Sequence, residues 1–200
     1  MAAALHNAEP PAPEPRDAGA LYTEHVHTVT RWAERLAGPA FDLEDLVHEV
    51  FCIAHRRLPK FRGDSSVTTW LFGITDNVVR HRRRKERWRR FFAGSLTANE
   101  EAVARVPSTQ PDPLRVAERE DTARTVYRLL DTLSERDRQT LILFELEELS
   151  ADAVGALLAI KPANARLRLH RARARFLSAY RDFEDAEARK GRSHVHVESI

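Results

Sequence analysis

The chain has 200 residues, 42% hydrophobic and 31% charged, which is enough for one medium domain or two small ones. Its formal net charge of +2 leaves no uniformly basic coat, so any nucleic-acid surface has to be local. One cysteine permits no internal disulfide, and neither a signal peptide nor the roughly 20 apolar residues of a membrane span are found, so we expect a cytoplasmic protein without membrane insertion.

The N-terminal part predicts a leader and two helices. Residues 1–17 are rich in alanine and proline and predict a disordered leader. A helical apolar period follows, and the Gly-Pro pair at 38–39 predicts its end. In the next helix Asp42 is the expected N-cap, and Glu44 and Asp45 favour its positive end. One face of this second helix is acidic, for which solvation is the simplest interpretation.

The stretch 61–90 passes from a polar loop through an aromatic helix into a run of arginines. Ser65 or Ser66 is expected to cap the helix, and Trp70 begins an apolar stripe at helical spacing. Positions 80–90 hold eight Lys or Arg residues and a single glutamate, a run that repels itself unless a polyanion neutralises it. This pattern is typical of a surface that stacks bases and binds phosphates, although a solvated helix end and a core tryptophan would produce it too.

The second half of the chain predicts a separate helical domain. Residues 93–113 contain three prolines and no apolar period, which predicts a linker. Four helices are predicted after it, and Ser134 and Ser150 are expected caps. The turn at 160–162 precedes a last helix over 163–180. Two short helices joined by such a turn indicate a helix-turn-helix, whose second helix enters the major groove of DNA.

The last helix divides into a packed face and an outward face. Ala165 begins the apolar stripe, while Arg166, Leu167, His170 and Arg171 project from the opposite side. Arg168, Arg173 and Arg175 lie on the flanks. This outward side consists almost entirely of hydrogen-bond donors. Core packing does not demand such a face, so it indicates nucleic-acid binding.

Three ordered segments resemble the sigma factors of bacterial RNA polymerase. FDLEDLVHEVF resembles their core-binding segment, and FRGDSSVTTWL with the basic residues after it resembles the promoter-melting and minus-ten-reading segments of the extracytoplasmic-function branch. LSERDRQTLILFELEELS and LHRARARF are similar to that branch's minus-thirty-five-reading domain. The resemblance spans about residues 21–180 and is broken only by the linker.

The resemblance implies an all-α fold of two small helical domains joined by a flexible linker, the second containing the helix-turn-helix. The expected division is a leader (1–17), sigma domain two (18–92), a linker (93–113), sigma domain four (114–181) and a tail (182–200). The implied function is to bind core RNA polymerase, recognise minus-thirty-five and minus-ten promoter elements and promote strand opening to initiate transcription. An anti-sigma factor is a further expected partner, and no catalytic site, metal or cofactor is expected.

The resemblance also implies roles for individual residues. Those for core-polymerase binding are Asp45, His48, Glu49 and Phe51. Those for the minus-ten element are Phe61, Asp64, Ser65, Ser66, Trp70, Asn77, Arg80, Arg82, Arg83 and Arg84. Those for the minus-thirty-five element are Arg166, Leu167, Arg168, His170 and Arg171. The four arginines of the minus-ten set are expected to hold phosphates, and the tryptophan either melts DNA or packs in the core.

Four positions depart from the pattern of that family. His48 stands where the family usually has glutamine, and Gly73 replaces a commoner arginine at a cost of about 1 kcal/mol relative to alanine in a helix. Asp76 places a negative charge beside Asn77, which would repel phosphate and narrow the promoters accepted. Leu167 replaces a small polar residue and can contact a thymine methyl, which predicts an atypical minus-thirty-five sequence.

Three alternatives use parts of the same sequence. A stand-alone helix-turn-helix regulator needs neither the acidic helix nor the polar loop. An enzyme could use His25, His27, His48 and His55 as metal ligands, but no ligand cluster of established spacing, phosphate loop or nucleophile motif accompanies them. We therefore predict that the chain is not an enzyme. A degenerate sigma factor that only sequesters partners would keep the same motifs.

Overall fold

The computed structural model describes residues 17–93 and 113–195, and every regular element in them is helical, which confirms the predicted all-α class. The α-helices are α1 (Ala18–Ala37), α2 (Leu43–Arg57), α3 (Val67–Ala93), α4 (Pro113–Asp131), α5 (Glu135–Leu141), α6 (Ala151–Leu158) and α7 (Pro162–Val195). A 3₁₀ turn (Leu58–Lys60) follows α2, and a π-helical turn (Ile142–Leu146) follows α5. The predicted leader before residue 17 and the linker between 94 and 112 lie outside the described residues.

Side-chain caps begin four of these helices at the positions that the sequence predicts, and Asp17 adds a fifth at the start of α1, where its side chain accepts from the Ala20 amide at 2.7 Å. Each cap oxygen accepts a hydrogen bond from a backbone amide that the first turn of a helix would otherwise leave unpaired. Of the two serines before α3, the structure uses Ser66. The pairs are Asp42 with the Asp45 amide (3.1 Å), Ser66 with Thr69 (3.1 Å), Ser134 with Asp137 (3.2 Å) and Ser150 with Ala153 (3.2 Å).

The described chain divides into two compact units. Residues 17–33 and 42–86 form the first, and residues 34–41 belong with those from 87 onwards in the second. The predicted boundary at 92–93 between sigma domain two and the linker stays a prediction.

Apolar stripes of α1, α2 and α3 supply the core of the first unit. Leu46 and Val50 face inward from α2, and the Trp32 ring packs edge-on against Phe72 with centroids 5.2 Å apart. Thr75 is also buried, and its hydroxyl donates to the carbonyl of Leu71 at 2.9 Å. The Thr75 hydroxyl is therefore satisfied, as burial requires, whereas the buried indole nitrogen of Trp32 has no hydrogen-bond partner within the described residues.

The second unit contains the α5–α7 helices and the end of α4. Leu130, Leu143, Val154 and Leu169 are among its buried side chains. The helix α7 continues to Val195, past the predicted end at 180. Residues 181–195 carry the half-buried Phe183, whose ring centroid lies 5.8 Å from the Arg128 guanidinium of α4. They are otherwise rich in Glu, Ala, Arg and Lys, which propagate an exposed helix well. No helix in the part of the chain that the structure describes has the length and apolar character needed to cross a bilayer.

Candidate nucleic-acid interface

The turn between α6 and α7 is closed by backbone geometry. Ala159 ends α6 in the left-handed region at φ 52°, and the amide of Ile160 donates to the Gly155 carbonyl at 2.9 Å. A Cβ at position 155 would lie 2.7 Å from the carbonyl oxygen of Ile160, so the glycine permits this close approach. Pro162 then starts α7 with its φ already suited to a helix. The turn fixes the direction in which α7 leaves α6.

The first turns of α7 separate a buried face from an exposed one, as predicted. Ala165, Leu169 and Ala172 are buried. On the outward side Leu167 is 49% exposed, which leaves its methyl groups able to contact a ligand. The exposed polar side chains around it are Arg166, His170 and Arg171, with Arg168 half-buried. Which of these contact DNA stays a prediction.

Two of the flanking arginines hold α7 in place. Arg173 pairs with Glu145 of the π-helical turn, with nitrogen–oxygen distances of 2.6 and 2.7 Å. Arg175 pairs with Asp137, whose carboxylate also accepts from the Ser134 hydroxyl at 2.8 Å. Both arginines bond to carboxylates within the protein, so their charge orients the helix rather than extending its outward donor face.

The loop before α3 is ordered by ring packing and by its cap. Phe61 and Trp70 lie with ring centroids 4.9 Å apart and planes inclined at 40°. Trp70 is half-buried, so packing and a contact with DNA are both compatible with its position. Asp64 and Ser65 are exposed between the two rings in sequence. The loop therefore presents polar side chains on a fixed support.

Asp76 is paired with a cation on its own helix. Its carboxylate lies 3.2 Å from Nε of Arg80, and the same guanidinium donates to the Asn77 side-chain oxygen at 2.5 Å. We predicted that Asp76 would repel a phosphate near Asn77. The ion pair reduces that repulsion, because the positive charge lies between the two side chains.

The predicted phosphate-binding arginines have different surroundings. Arg84 is exposed. Arg82 donates to one carboxylate oxygen of Glu49, with Nη2 at 2.6 Å and Nε at 2.8 Å. Arg83 is only 5% exposed, because it lies one helical turn after the buried Val79 and therefore continues the packed stripe. This burial in the free protein does not favour a phosphate contact, and the role of Arg83 stays a prediction.

The predicted core-binding face of α2 is partly engaged within the first unit. Asp45 and His48 are exposed, and the ring of Phe51 packs edge-on against Tyr22 at 4.8 Å. Glu49 holds Arg82, 33 residues away in the sequence. The sequence could not reveal this pair, because no local period connects the two positions. The Glu49–Arg82 pair places an acidic residue of α2 in contact with the arginine run of α3.

The described residues contain no group of three or more His, Cys, Asp or Glu side chains arranged to hold a metal ion. His25, His27, His48 and His55, the ligands considered for an enzyme, are therefore not part of such a group. His48 instead lies with Nε2 3.4 Å from the Cys52 sulfur, one helical turn away on α2.

The three helices of the first unit and the helix-turn-helix of the second match two models of one protein family. Residues 21–89 match the sigma-70 region 2, and residues 123–176 match the sigma-70 region 4. Together the two segments cover more than half of the chain. The protein therefore belongs to the sigma-70 family of RNA polymerase sigma factors, in its extracytoplasmic-function (ECF) branch.

Relatives from two bacteria support the branch. The chain is 31% identical over 154 residues to the ECF RNA polymerase sigma factor SigE of Mycolicibacterium smegmatis, and the match covers 76% of this chain and 57% of that protein. It is 29% identical over 157 residues to the ECF RNA polymerase sigma-E factor of Escherichia coli K12, covering 76% of this chain and 81% of that one. The chain thus spans little more than half the length of the mycobacterial protein.

Two solved structures share the fold. CnrH, solved in complex with the cytosolic domain of CnrY, is 22% identical with a TM-score of 0.54, and the match covers 82% of this chain and 87% of CnrH. The sigma factor RpoE of Bartonella quintana, solved with the anti-sigma factor NepR, is 20% identical with a TM-score of 0.52, covering 80% and 94%. At these identities the likeness concerns the fold.

Proposed function

We propose that this chain binds core RNA polymerase, recognises the minus-thirty-five and minus-ten promoter elements and promotes strand opening to initiate transcription. The observation that carries the proposal is the presence of a region 2 and a region 4 in one chain, the latter with an exposed donor face on α7. The chain contributes binding energy and specificity, and the polymerase carries out the chemistry. Since core polymerase and promoter DNA are both cytoplasmic in bacteria, so is the proposed site of action.

In this proposal α7 is the recognition helix for the minus-thirty-five element. Arg166, His170 and Arg171 offer hydrogen-bond donors to base edges in the major groove, where guanine N7 and O6 are acceptors. Leu167 offers methyl groups that suit the C5-methyl of thymine. The ion pairs of Arg173 and Arg175 hold the helix at a fixed orientation, which keeps these contacts in register.

The first unit is proposed to act on the minus-ten element after the strands separate. A base edge is hidden in an intact stack, so a polar loop can read it only when the base is extruded. Asp64, Ser65 and Asn77 are exposed and supply both donors and acceptors for such a base. Arg80 and Arg84 would hold phosphates on either side of it. The half-buried Trp70 supports the loop through its contact with Phe61.

The exposed part of the acidic face of α2 is proposed to dock on core polymerase. Asp45, His48 and Glu49 form a polar patch, and Phe51 adds an apolar edge beside it. Core polymerase makes contact with this face, whereas a stand-alone helix-turn-helix regulator would leave it in water. We therefore expect core polymerase to be retained by the immobilised chain.

An anti-sigma factor is the third proposed partner. Both similar structures hold a sigma-type chain in a complex, CnrH with the cytosolic domain of CnrY and RpoE with the anti-sigma factor NepR. We extend this arrangement to the present chain on the basis of the shared fold. Co-purification of a chromosomally encoded partner that suppresses transcription in vitro would support the extension.

Run-off transcription with core polymerase on a library of promoters tests the proposed function directly. We expect initiation from a subset of promoters that share two short elements, and we expect no initiation when the chain is omitted. Retention of core polymerase without any initiation would instead support the degenerate sigma factor that only sequesters its partners. Binding of duplex DNA with no retention of core polymerase would favour the stand-alone regulator.

A further inference from the structure

The last turns of α3 carry three exposed aromatic side chains. Trp88 is 58% exposed, Phe91 78% and Phe92 63%. The other three residues between 87 and 92 are arginines, and they are exposed as well. This segment belongs to the second unit. It therefore forms a helix end on which the described residues bury none of the side chains from 87 to 92.

The aromatic and basic side chains of this segment occupy different parts of the helix circumference. At about 100° per residue, the three rings fall within an arc of about 100°. Arg87 lies about 40° outside this arc next to Phe91, and Arg89 lies about 60° outside it next to Phe92. An apolar arc of this width is typical of a helix that packs against another element. We name the three rings the aromatic stripe.

The rings of the aromatic stripe pack against one another and form a compact apolar surface. Trp88 and Phe92 are stacked, with centroids 5.6 Å apart and planes inclined at 19°. Phe91 stands at 86° to Phe92, with centroids also 5.6 Å apart. Because the rings contact one another, the surface combines ring faces with ring edges. It suits the apolar side chains of another protein, whereas a run of bases needs separate flat platforms at successive steps.

The arginines beside the stripe define the charge of the partner. Residues 87–92 include no acidic residue, so a purely apolar partner would bring no charge to compensate the desolvation of these cations. Carboxylates beside the partner's apolar side chains provide that charge, since a guanidinium binds a carboxylate through charge-assisted hydrogen bonds. Apolar stripes flanked by complementary charges also determine which helices pair in coiled coils. A second copy of the stripe carries the same positive charge and is disfavoured.

We propose that the aromatic stripe is a docking site for an acidic protein partner, whose helix has an apolar face flanked by Asp or Glu residues. Apolar contacts with the rings anchor the helix, and its carboxylates pair with Arg87 and Arg89. This inference goes beyond the proposed function, and it can be tested without core polymerase or promoter DNA.

Fluorescence anisotropy of a labelled acidic peptide, titrated with the full chain, tests the site. The peptide consists of two repeats of LEELLEE, which form a helix with an apolar face flanked by glutamates. Two repeats of AEEAAEE keep the charge without the leucines, and two repeats of LKKLLKK reverse the charge. We expect the LEELLEE peptide to bind at least about tenfold more tightly than either of the others, because only this peptide satisfies both the rings and the arginines.

Substitutions of Phe91 separate apolar packing from base stacking. Phe91→Ser removes the apolar side chain and should weaken binding of the LEELLEE peptide at least about tenfold, as loss of a buried ring predicts. Phe91→Leu keeps an apolar side chain and should stay within about threefold of the original protein. Leu177→Ser is the matched control, because Leu177 is also an exposed apolar residue of the second unit, and it should not change the affinity.

Arg87→Gln tests the part of the proposal that concerns charge. Loss of one exposed ion pair should weaken binding of the LEELLEE peptide by up to about fivefold. The affinity of this variant should also depend less on salt, because one screened interaction is absent. Arg181→Gln removes one exposed positive charge from α7 instead, and its affinity and salt dependence should stay close to those of the original protein.

Several results would overturn the docking site. The first is equal affinity for the three peptides, and the second is unchanged binding of the LEELLEE peptide in Phe91→Ser. A labelled oligo(dT) that displaces this peptide, and that loses affinity equally in Phe91→Leu and Phe91→Ser, would assign the stripe to nucleic acid. Self-association of the free chain in sedimentation experiments, lost in Phe91→Ser, would assign it to a second copy.

Discussion

The two arginine-rich helices of this protein, α3 and α7, use similar side chains in different ways. On α7 Arg173 and Arg175 bond to carboxylates, whereas Arg166 and Arg171 are exposed as a distinct donor surface. On α3 three of the four arginines proposed to bind DNA are engaged or buried, since Arg82 pairs with Glu49, Arg80 pairs with Asp76 and Arg83 is buried. Arg84 is exposed. A count of basic residues therefore overstates the charge that α3 offers to DNA in the free protein.

This difference suggests different contributions to recognition. Fixed donors on a rigid helix suit the reading of base edges, because discrimination depends on geometry. The cations of α3 are held by nearby carboxylates in exposed ion pairs, which can be replaced by phosphate contacts at little cost. They therefore suit a surface that contacts DNA after another partner has bound.

Reversing the charge of the acidic α2 face should have the largest effect. We expect the double substitution Asp45→Arg and Glu49→Arg to weaken core-polymerase binding at least about tenfold, because it places like charges in a charge-complementary contact. Quantitative retention on immobilised core polymerase measures the loss, and circular dichroism checks that the helices persist. Unaltered retention with an intact helical spectrum would remove α2 from the docking surface.

Arg166 and Arg84 provide a matched pair of arginines, one from each helix. Arg166→Ala should relax preference within the minus-thirty-five element, where a bidentate contact with guanine contributes about 1–3 kcal/mol of discrimination. Arg84→Ala should weaken binding to all promoters alike and lower the slope of log affinity against log salt by about one. The holoenzyme is titrated on one promoter library at two salt concentrations. If Arg166→Ala lowers affinity for all promoters alike, Arg166 is a phosphate contact, and the contrast between α3 and α7 does not hold.

The structure also shows which features of these helices a sequence can predict. Caps such as Asp42 and Ser134 were predictable because their hydrogen bonds join residues three apart. The faces of α7 follow from a local period as well. The burial of Arg83 was missed, although its spacing from Val79 carries the signal, because an arginine run was interpreted as uniformly exposed.

Features formed between distant segments were beyond local reasoning. Glu49 and Arg82 meet only because α2 packs against α3, and the sequence says nothing about the relative rotation of the two helices.

The sequence also suggested that α7 ends near residue 180, since its apolar stripe stops there. The half-buried Phe183 ring, 5.8 Å from the Arg128 guanidinium, adds one packing contact beyond that point, and Glu, Ala, Arg and Lys favour continuation of the exposed helix to Val195. The exposed rings at Trp88 and Phe92 had the i, i+4 spacing of a shared face but no known motif to mark them.

Leu167→Ser should have a smaller effect than Arg166→Ala and should remain confined to one base pair. Serine removes the methyl groups that suit thymine and adds a hydroxyl that can hydrogen-bond to several bases. We expect preference to shift at one position of the minus-thirty-five element with little loss of total affinity. The same promoter library measures the shift. If total affinity falls while the sequence preference does not move, Leu167 supports the packing of α7 and does not read DNA.

The smallest expected effect comes from the ion pair between Glu49 and Arg82. It tests whether this pair keeps the Arg82 guanidinium from contacting DNA in the free protein. Glu49→Gln removes the carboxylate charge and should release Arg82 to DNA, so affinity for duplex DNA of unrelated sequence should rise a few-fold and its salt slope steepen by up to about one. In the Arg82→Ala background the same substitution should have no effect beyond its general change in charge. The coupling from this double-mutant cycle should be at most about 1 kcal/mol, as for other exposed pairs. Asp45→Asn is the matched control, because it removes one negative charge from the same helix without breaking the pair. Equal gains for Asp45→Asn and Glu49→Gln would mean that α2 acts only through its overall charge, and that Arg82 is as available to DNA in the free protein as Arg84.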